Sequence, residues 1–242
     1  MRPIQKNPEP SELEQWRTQY NTDINFGYEL MRQDDAVCDA VERSLLEEQG
    51  RVDAYTEQRI RSETSHIEHL KPQTHCDPIE EVQYGNLVLC YPGPGQAFDH
   101  PSQHVSSTSL DEPEICEGRD GEYGAREKDD WPAPSEEYLF VSPLDDSCEE
   151  RFTFTRRGCM YPSSDDDEAA QTTIKELNLN HKTLKRYRKR AMEAIDDLEY
   201  REAKLQLRTL EDTNTEERRP FGAAIKYALE KHIRRLEAIR QN

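Results

Sequence analysis

The sequence predicts a mainly α-helical protein with a long irregular, partly disordered centre. Ile, Leu, Val and Phe make up only 43 of the 242 residues, about 18%, and the formal net charge is −18. Such a combination is typical of partly disordered chains. Apolar residues recur at helical spacing at both ends, whereas residues 71–170 hold 10 of the 14 prolines and 7 of the 10 glycines. No apolar run approaches the roughly 18–20 residues of a membrane-spanning helix, so we expect no membrane partner.

Composition and charge divide the chain into four segments. Residues 1–10 are polar and proline-rich and predict a flexible tail, and residues 11–70 predict a helical, possibly coiled-coil segment. The acidic Pro/Gly-rich region 71–170 carries 7 basic and 23 acidic residues, whereas 171–242 carries 17 basic and 12 acidic residues. An acidic body with a basic end favours nucleic-acid contact or an internal electrostatic interaction.

The N-terminal segment has the apolar spacing of an amphipathic helix. Ser11 and Glu14 have capping-box spacing before this pattern. The pattern weakens after Gly50 and ends at Pro72. Because a long polar helix is not stable alone, we expect this segment to self-associate or to bind a partner chain. The apolar positions with this spacing are Leu13, Trp16, Tyr20, Ile24, Val37, Val41 and Leu45.

Three short runs in the centre predict β-strands. They are Val82 to Tyr91, Glu137 to Val141 and Arg151 to Thr155. The last two are spaced to pair as a hairpin across 142–150. Two or three strands of this length make only a marginal sheet, so we expect loops with small β elements.

The C-terminal segment predicts an antiparallel α-hairpin or a helix-turn-helix-like module. Pro220 and Gly222 mark the break between its two helical runs. The first apolar face contains Leu184, Ala191, Ile195, Leu198 and Leu205, and the second contains Ile225, Leu229, Ile233, Leu236 and Ile239.

The strongest functional indication is a basic cluster in residues 175–190. It contains seven basic residues and one acid, Glu176, in a chain of net charge −18. Basic side chains on one helix contact phosphates and base edges of nucleic acid. The predicted nucleic-acid-binding residues are Lys182, Lys185, Arg186, Arg188, Lys189 and Arg190.

This cluster fits the second helix of a helix-turn-helix. The first helix is predicted over Ala169–Leu177, the turn over 178–180, and the second helix from His181. Asn178 suits the left-handed turn position and Asn180 suits the N-cap. The pattern resembles the Glu-Leu-Gly-Val-Ser-x-x-Thr-Val type found in many transposases and regulators, although it lacks the turn glycine. Leu177, Leu184 and Tyr187 are predicted to pack the two helices together.

Three other interpretations of the basic cluster remain open. Asn180 and Arg188 have the spacing of a basic-zipper region. The heptad repeat that follows contains only two leucines, Leu198 and Leu205, because the next position is Asp212. The run 185–190 also has the character of a nuclear localisation signal. The simplest interpretation is a solvated helix face neutralised by the acids of 163–168.

Phosphorylation is predicted at serines that precede acidic residues. Ser163 and Ser164 are followed by three aspartates and a glutamate, and Ser147 precedes Glu150 by three residues. Phosphates at 163 and 164 would add negative charge directly before the basic cluster.

The six cysteines predict reduced thiols and at most a weak zinc site. They lack the density of a disulfide scaffold, and because Met1–Pro10 is polar and proline-rich we expect no secretory signal. Cys76, Cys90, His100 and His104 form a Cys₂His₂ set of the kind zinc prefers, with Cys116 as a substitute ligand, but no tight cysteine pair is present. We therefore expect no cofactor, with zinc as the one alternative.

Taken together, these features predict a non-enzymatic regulatory or adaptor protein, nuclear or cytoplasmic, that contacts nucleic acid through its basic C-terminal helices. No phosphate loop, nucleophile elbow, dinucleotide fingerprint or zinc-protease motif is present. The alternative is a protein that binds other proteins through its helical ends, with the basic run serving only as a localisation signal. Acidic chains with one basic helix and kinase-type serines also occur among accessory non-structural proteins of small viruses.

Overall fold

The computed structural model describes residues 1–93, 116, 118–212 and 216–241. Within these residues it is mainly α-helical, with two small antiparallel sheets, as predicted. The helices are α1 (Ser11–Tyr20), α2 (Tyr28–Met31), α3 (Asp35–Glu48), α4 (Pro78–Glu81), α5 (Ala125–Lys128), α6 (Glu168–Glu176), α7 (Lys182–Glu193), α8 (Tyr200–Glu211) and α9 (Gly222–Gln241). The strands are β1 (His66–His69), β2 (Leu87–Cys90), β3 (Phe152–Phe154) and β4 (Met160–Pro162).

The N-terminal helices pack inside the molecule. Asp34 caps α3 by accepting a hydrogen bond from the Val37 N–H at 3.2 Å. The apolar faces of α1 and α3 form one hydrophobic cluster with β2, in which Leu13, Val41 and Leu45 are fully buried. The prediction that this face binds a partner or forms a coiled coil is therefore wrong. An exception is Ile24, which lies after α1 and is 96% exposed.

The first ten residues are packed against the body, which corrects the prediction of a flexible tail. Met1 and Ile4 are buried. The N-terminal ammonium lies 2.9 Å from Glu57 Oε1, and the Ile4 N–H donates to Pro143 O at 2.8 Å. Burial of these two apolar side chains contributes to holding the segment against the body.

The helix predicted to continue towards Pro72 ends at Glu48. Residues 49–65 contain a β-bridge between Val52 and Arg59 and a 3₁₀ turn at Ser62–Thr64, and β1 follows, paired antiparallel to β2 with Ile67 opposite Leu89. All four residues of β2 are buried, because the sheet lies between the two hydrophobic clusters. Local periodicity missed β1, since its partner strand lies some twenty residues further along the chain.

The described parts of the centre belong to the core and are not a linker. Tyr123, Val141, Cys148, Phe152 and Met160 are buried in the larger hydrophobic cluster. The strands predicted near Leu87 and at 151–155 are confirmed. The predicted strand 137–141 is wrong, because Glu137–Leu139 is a 3₁₀ turn, and β3 pairs with β4 instead. The partial disorder was expected throughout 71–170, and the part of it at 94–115 lies outside the described residues.

The C-terminal segment contains three helices after α6. The first predicted run is broken after α7, and α8 begins at Tyr200. Tyr200 at the start of α8 donates to Glu237 near the end of α9 at 2.7 Å, so these two helices run antiparallel as predicted. Leu229 and Ile233 of α9 are buried, whereas Leu205 is 65% exposed. Among the described residues, no helix is long and apolar enough to cross a membrane.

Candidate nucleic-acid interface

The turn between α6 and α7 has the predicted left-handed residue. Asn178 has a φ of +46°, a region in which asparagine is tolerated better than most residues. Leu177, Leu179 and Leu184 around it are buried in the larger hydrophobic cluster. The helix–turn–helix arrangement of this segment is therefore present.

The N-cap of α7 is His181, one residue later than predicted. Its Nδ1 accepts a hydrogen bond from the Thr183 N–H at 3.3 Å. The Asn180 side chain instead binds the β4 backbone, because its Oδ1 accepts from Met160 N at 2.8 Å and its Nδ2 donates to Met160 O at 2.9 Å. Asn180 thus fixes β4 to the turn before α7.

Residues 118–124 cover the beginning of α7. The Asn178 amide donates to the carbonyls of Arg119 and Glu122 at 3.0 and 2.8 Å. The rings of Tyr123 and His181 stack with centroids 4.9 Å apart. In a helix-turn-helix protein the first residues of the second helix enter the major groove. Here Thr183, Leu184 and Lys185 at the start of α7 are buried, and Lys182 is exposed.

Two of the six predicted nucleic-acid contacts are buried, which corrects their assignment. Lys185 Nζ donates to Cys116 O at 3.1 Å, and Lys185 is 8% exposed. Arg188 donates to Leu179 O and lies over the Phe154 ring, with 5.8 Å to the centroid. Burial lowers the pKa of Arg188 to about 9, so the guanidinium stays charged at neutral pH. Neither side chain reaches a phosphate.

The other four cations are exposed and form one face of α7, here named the basic stripe: Lys182, Arg186, Lys189 and Arg190. Steps of three and four residues place them side by side. Lys182 Nζ lies 2.8 Å from Asp120 Oδ1, and Lys189 Nζ lies 3.8 Å from Glu193 Oε1. The guanidinium of Arg186 lies 5.5 Å from the centroid of the Tyr187 ring.

The turn between β3 and β4 adds two arginines beside this stripe. Gly158 has a φ of +82°, and a Cβ there would lie 2.0 Å from Lys185 O, so the turn lies directly against α7. Arg156 and Arg157 in the same turn are exposed. Arg156 pairs with Asp196 at 2.8 Å. Sequence reasoning did not include these arginines because their contact with α7 is made through a glycine.

One of the acids expected to neutralise the basic cluster, Asp167, has other partners. Asp167 caps α6 by accepting from the Ala170 N–H at 2.9 Å, and it forms an ion pair with Arg151. The hydrogen bonds and charge of Arg151 lower the pKa of Asp167. The candidate phosphorylation sites Ser147, Ser163 and Ser164 are exposed, so phosphorylation at these positions stays a prediction.

The cysteines are arranged differently from the prediction. Cys116 and Cys159 form a disulfide, with Cα atoms 6.2 Å apart, which corrects the expectation of reduced thiols at these positions. Cys90 is buried in β2, and Cys76 lies 3.4 Å from Asn86 Nδ2. His100 and His104 lie outside the described residues. Within the described ranges, no group of three or more candidate metal ligands is present.

A second polar cluster, not anticipated from the sequence, lies at β1. Lys128 Nζ is buried, 3.0 Å from Glu68 Oε1 and 2.9 Å from His69 O. His66 Nε2 lies 3.7 Å from Glu68 Oε2. Burial lowers the pKa of His66, but hydrogen bonding to Glu68, its charge and the Pro92 carbonyl outweigh this effect and raise the pKa. These groups neutralise one another inside the protein, which favours a structural role.

Comparison with known proteins found no matching family model and no curated protein with a matching sequence.

Proposed function

We propose that the protein binds nucleic acid through phosphate contacts made by the basic stripe. The observation that carries this proposal is the gathering of Lys182, Arg186, Lys189 and Arg190 on one exposed helix face in a chain of net charge −18. Exposed lysines and arginines replace the counterions of the phosphate backbone. Phosphates would be repelled by most of the surface and attracted to this face.

The covered start of α7 favours backbone contacts over base reading. Helix-turn-helix proteins read bases with residues at the beginning of the second helix. In this chain three of the first four residues of α7 are buried and only Lys182 is exposed, and Arg188 is buried as well. Arg186, Lys189 and Arg190 lie further along α7 and can approach phosphates, which carry no sequence information. Binding is therefore proposed to be independent of sequence.

The acids beside the stripe set the strength of the interaction. Asp120, Glu193 and Asp196 pair with Lys182, Lys189 and Arg156. A phosphate must displace these carboxylates before it gains the full attraction of the cations. Because exposed ion pairs contribute little, about 0–1 kcal/mol each, this displacement is feasible at low salt. We expect moderate affinity that falls steeply as salt is added.

The direct test measures binding of the full chain to labelled DNA by fluorescence anisotropy. Duplexes of two unrelated sequences are expected to bind alike. The double variant R186A/R190A is expected to weaken binding about tenfold at low salt, because it removes two phosphate contacts. The matched control is R32A/R43A, which removes the same charge from exposed arginines outside the basic stripe.

Two outcomes would contradict the proposal. If the wild-type chain does not bind DNA at low salt, the basic stripe is not a nucleic-acid interface. If R186A/R190A and R32A/R43A weaken binding equally, the effect reports net charge and the stripe has no special role. Circular dichroism of each variant confirms that the fold is retained.

A further inference from the structure

An open pocket lies beside the basic stripe and has the chemistry of a nucleobase site. It has a volume of about 370 Å³, and its walls include Arg59, Arg61, Tyr91, Tyr187, Pro220 and Phe221. This volume lies within the range of small-molecule pockets, about 300–1,000 Å³. Resting on the nucleic-acid proposal, we infer that this pocket holds one unpaired base of a single-stranded nucleic acid whose phosphates lie on the basic stripe.

The aromatic side chains provide a surface for stacking. The Tyr187 and Phe221 rings lie 6.0 Å apart at an interplanar angle of 41°, so they line one wall without closing the pocket. Phe221 has a φ of +55°, which is rare for an aromatic residue. Its N–H donates to Glu57 O at 3.0 Å, and this bond holds the backbone in place. Stacking on such rings tolerates every base, because each base has a π face.

Arg59 and Arg61 also line the pocket and supply positive charge, and Glu217 Oε2 lies 3.6 Å from Arg59 Nη1. Arg59 is fixed by donating to Arg218 O at 2.8 Å and to Gly50 O at 3.3 Å. The Arg61 side chain is 71% exposed, and its closest acid, Glu63, is 4.0 Å away. Arg61 can therefore turn towards a phosphate, whereas Arg59 keeps a fixed position.

Tyr187 connects the pocket to the stripe. It follows Arg186 directly and lies three residues before Arg190, so both stripe arginines are its neighbours on α7. Arg186 already lies over the Tyr187 ring, 5.5 Å from its centroid. A strand whose phosphates contact Arg186 and Arg190 would place an adjacent base at the Tyr187 ring. A duplex keeps its bases paired and cannot fill this pocket.

The test compares two single-stranded probes with the same number of phosphates. One is a fluorescein-labelled 12-nucleotide oligothymidine, and the other is the same length with abasic sites in place of all bases. In the full chain, Y187L removes the ring and is expected to weaken oligothymidine binding about 10-fold. Binding of the abasic probe should not change, and Y187F should bind oligothymidine like the wild type. R186A/R190A should weaken both probes, since it removes phosphate contacts only.

A second measurement separates failure of the pocket from failure of the stripe. The fluorescence of 2-aminopurine 5′-monophosphate is quenched when its base stacks on an aromatic ring. Binding of this single nucleotide to the pocket does not require neighbouring phosphates on the basic stripe. The Arg61 side chain is exposed, so R61A is not expected to disturb the fold. If the wild type quenches 2-aminopurine and R61A quenches it less, the pocket is supported even if R186A/R190A leaves DNA binding unchanged. That combination would identify a free-nucleotide site. The inference would be overturned if the wild type did not quench 2-aminopurine and if Y187L bound each probe as tightly as the wild type does.

Discussion

Asn178 and Arg119 are joined by two reciprocal hydrogen bonds. The Arg119 N–H donates to Asn178 Oδ1 at 3.0 Å, and Asn178 Nδ2 donates to Arg119 O at 3.0 Å. One side chain thus makes the turn before α7 and also attaches the segment that covers the start of this helix. This attachment holds residues 118–124 over the start of α7, where Lys185 is buried and Lys182 is the exposed cation.

The first prediction concerns this turn. N178A is expected to lower the free energy of unfolding by about 3 kcal/mol. It removes the hydrogen bonds of the Asn178 side chain and also places alanine at a positive φ. N178G removes only these side-chain hydrogen bonds, since glycine adopts a φ of +46° freely. It is expected to lower the free energy of unfolding by about 2 kcal/mol. Urea denaturation measures both. Equal losses would show that the backbone conformation contributes nothing.

Arg188 provides a test of the buried half of the basic cluster. Because its guanidinium donates to Leu179 O inside the protein, R188M is expected to leave DNA affinity within about twofold of wild type. R186A, two residues away and exposed, is expected to weaken binding. Anisotropy titrations of both variants under the same conditions decide the matter. A loss for R188M as large as that for R186A would place Arg188 at the interface.

Glu57 is expected to contribute stability that depends on pH. Burial raises the pKa of Glu57, but the N-terminal ammonium, Arg2 and the Ala223 N–H together lower it to about 2. A depressed pKa stabilises the fold above the unfolded value of about 4.5, and this contribution is lost as the pH falls towards 2. E57Q is therefore expected to cost about 3 kcal/mol at pH 7 and much less at pH 3.

The control for this experiment is E150Q, which neutralises an exposed glutamate. Its cost should be below about 0.5 kcal/mol at either pH. Urea denaturation of wild type and both variants at several pH values gives the comparison. A cost for E57Q that does not change between pH 7 and pH 3 would mean that the ion pair with the N-terminus is not the cause.

The buried pair of Lys128 and Glu68 is expected to show strong coupling. K128M leaves the Glu68 carboxylate without its cation and should cost about 3–5 kcal/mol. The double variant K128M/E68Q removes the uncompensated charge and should recover a large part of this loss. A double-mutant cycle measured by urea denaturation gives the coupling energy. Simple additivity of the two single variants would contradict the ion pair seen between Nζ and Oε1.

Local sequence patterns predicted the helices well. The turn residue Asn178, the helices on either side of it and the strand at Leu87 all follow from neighbouring residues, through spacing and backbone preference. The antiparallel pairing of α8 and α9 also followed from the break at Pro220. These features depend on short stretches of chain, which is why sequence reasoning could find them.

Features made by distant segments escaped prediction. The pattern 175–190 gives no sign that Lys185 binds the Cys116 carbonyl or that Arg188 lies over Phe154. The pocket beside the basic stripe combines Arg61, Tyr91, Tyr187 and Phe221, which lie far apart in the sequence. The charge of a side chain is visible in a sequence, but its exposure depends on tertiary contacts. For this reason only four of the six predicted nucleic-acid-binding residues lie on the exposed basic stripe.

The most direct test of the basic stripe is the salt dependence of DNA binding. For single-stranded DNA, the slope of log K against log salt is about −0.7 for each phosphate contact. Removing two contacts in R186A/R190A is therefore expected to make the slope of the full chain about 1.4 less steep, whereas R32A/R43A should leave it unchanged. A slope that stays the same in R186A/R190A, or binding that does not respond to salt, would contradict the account.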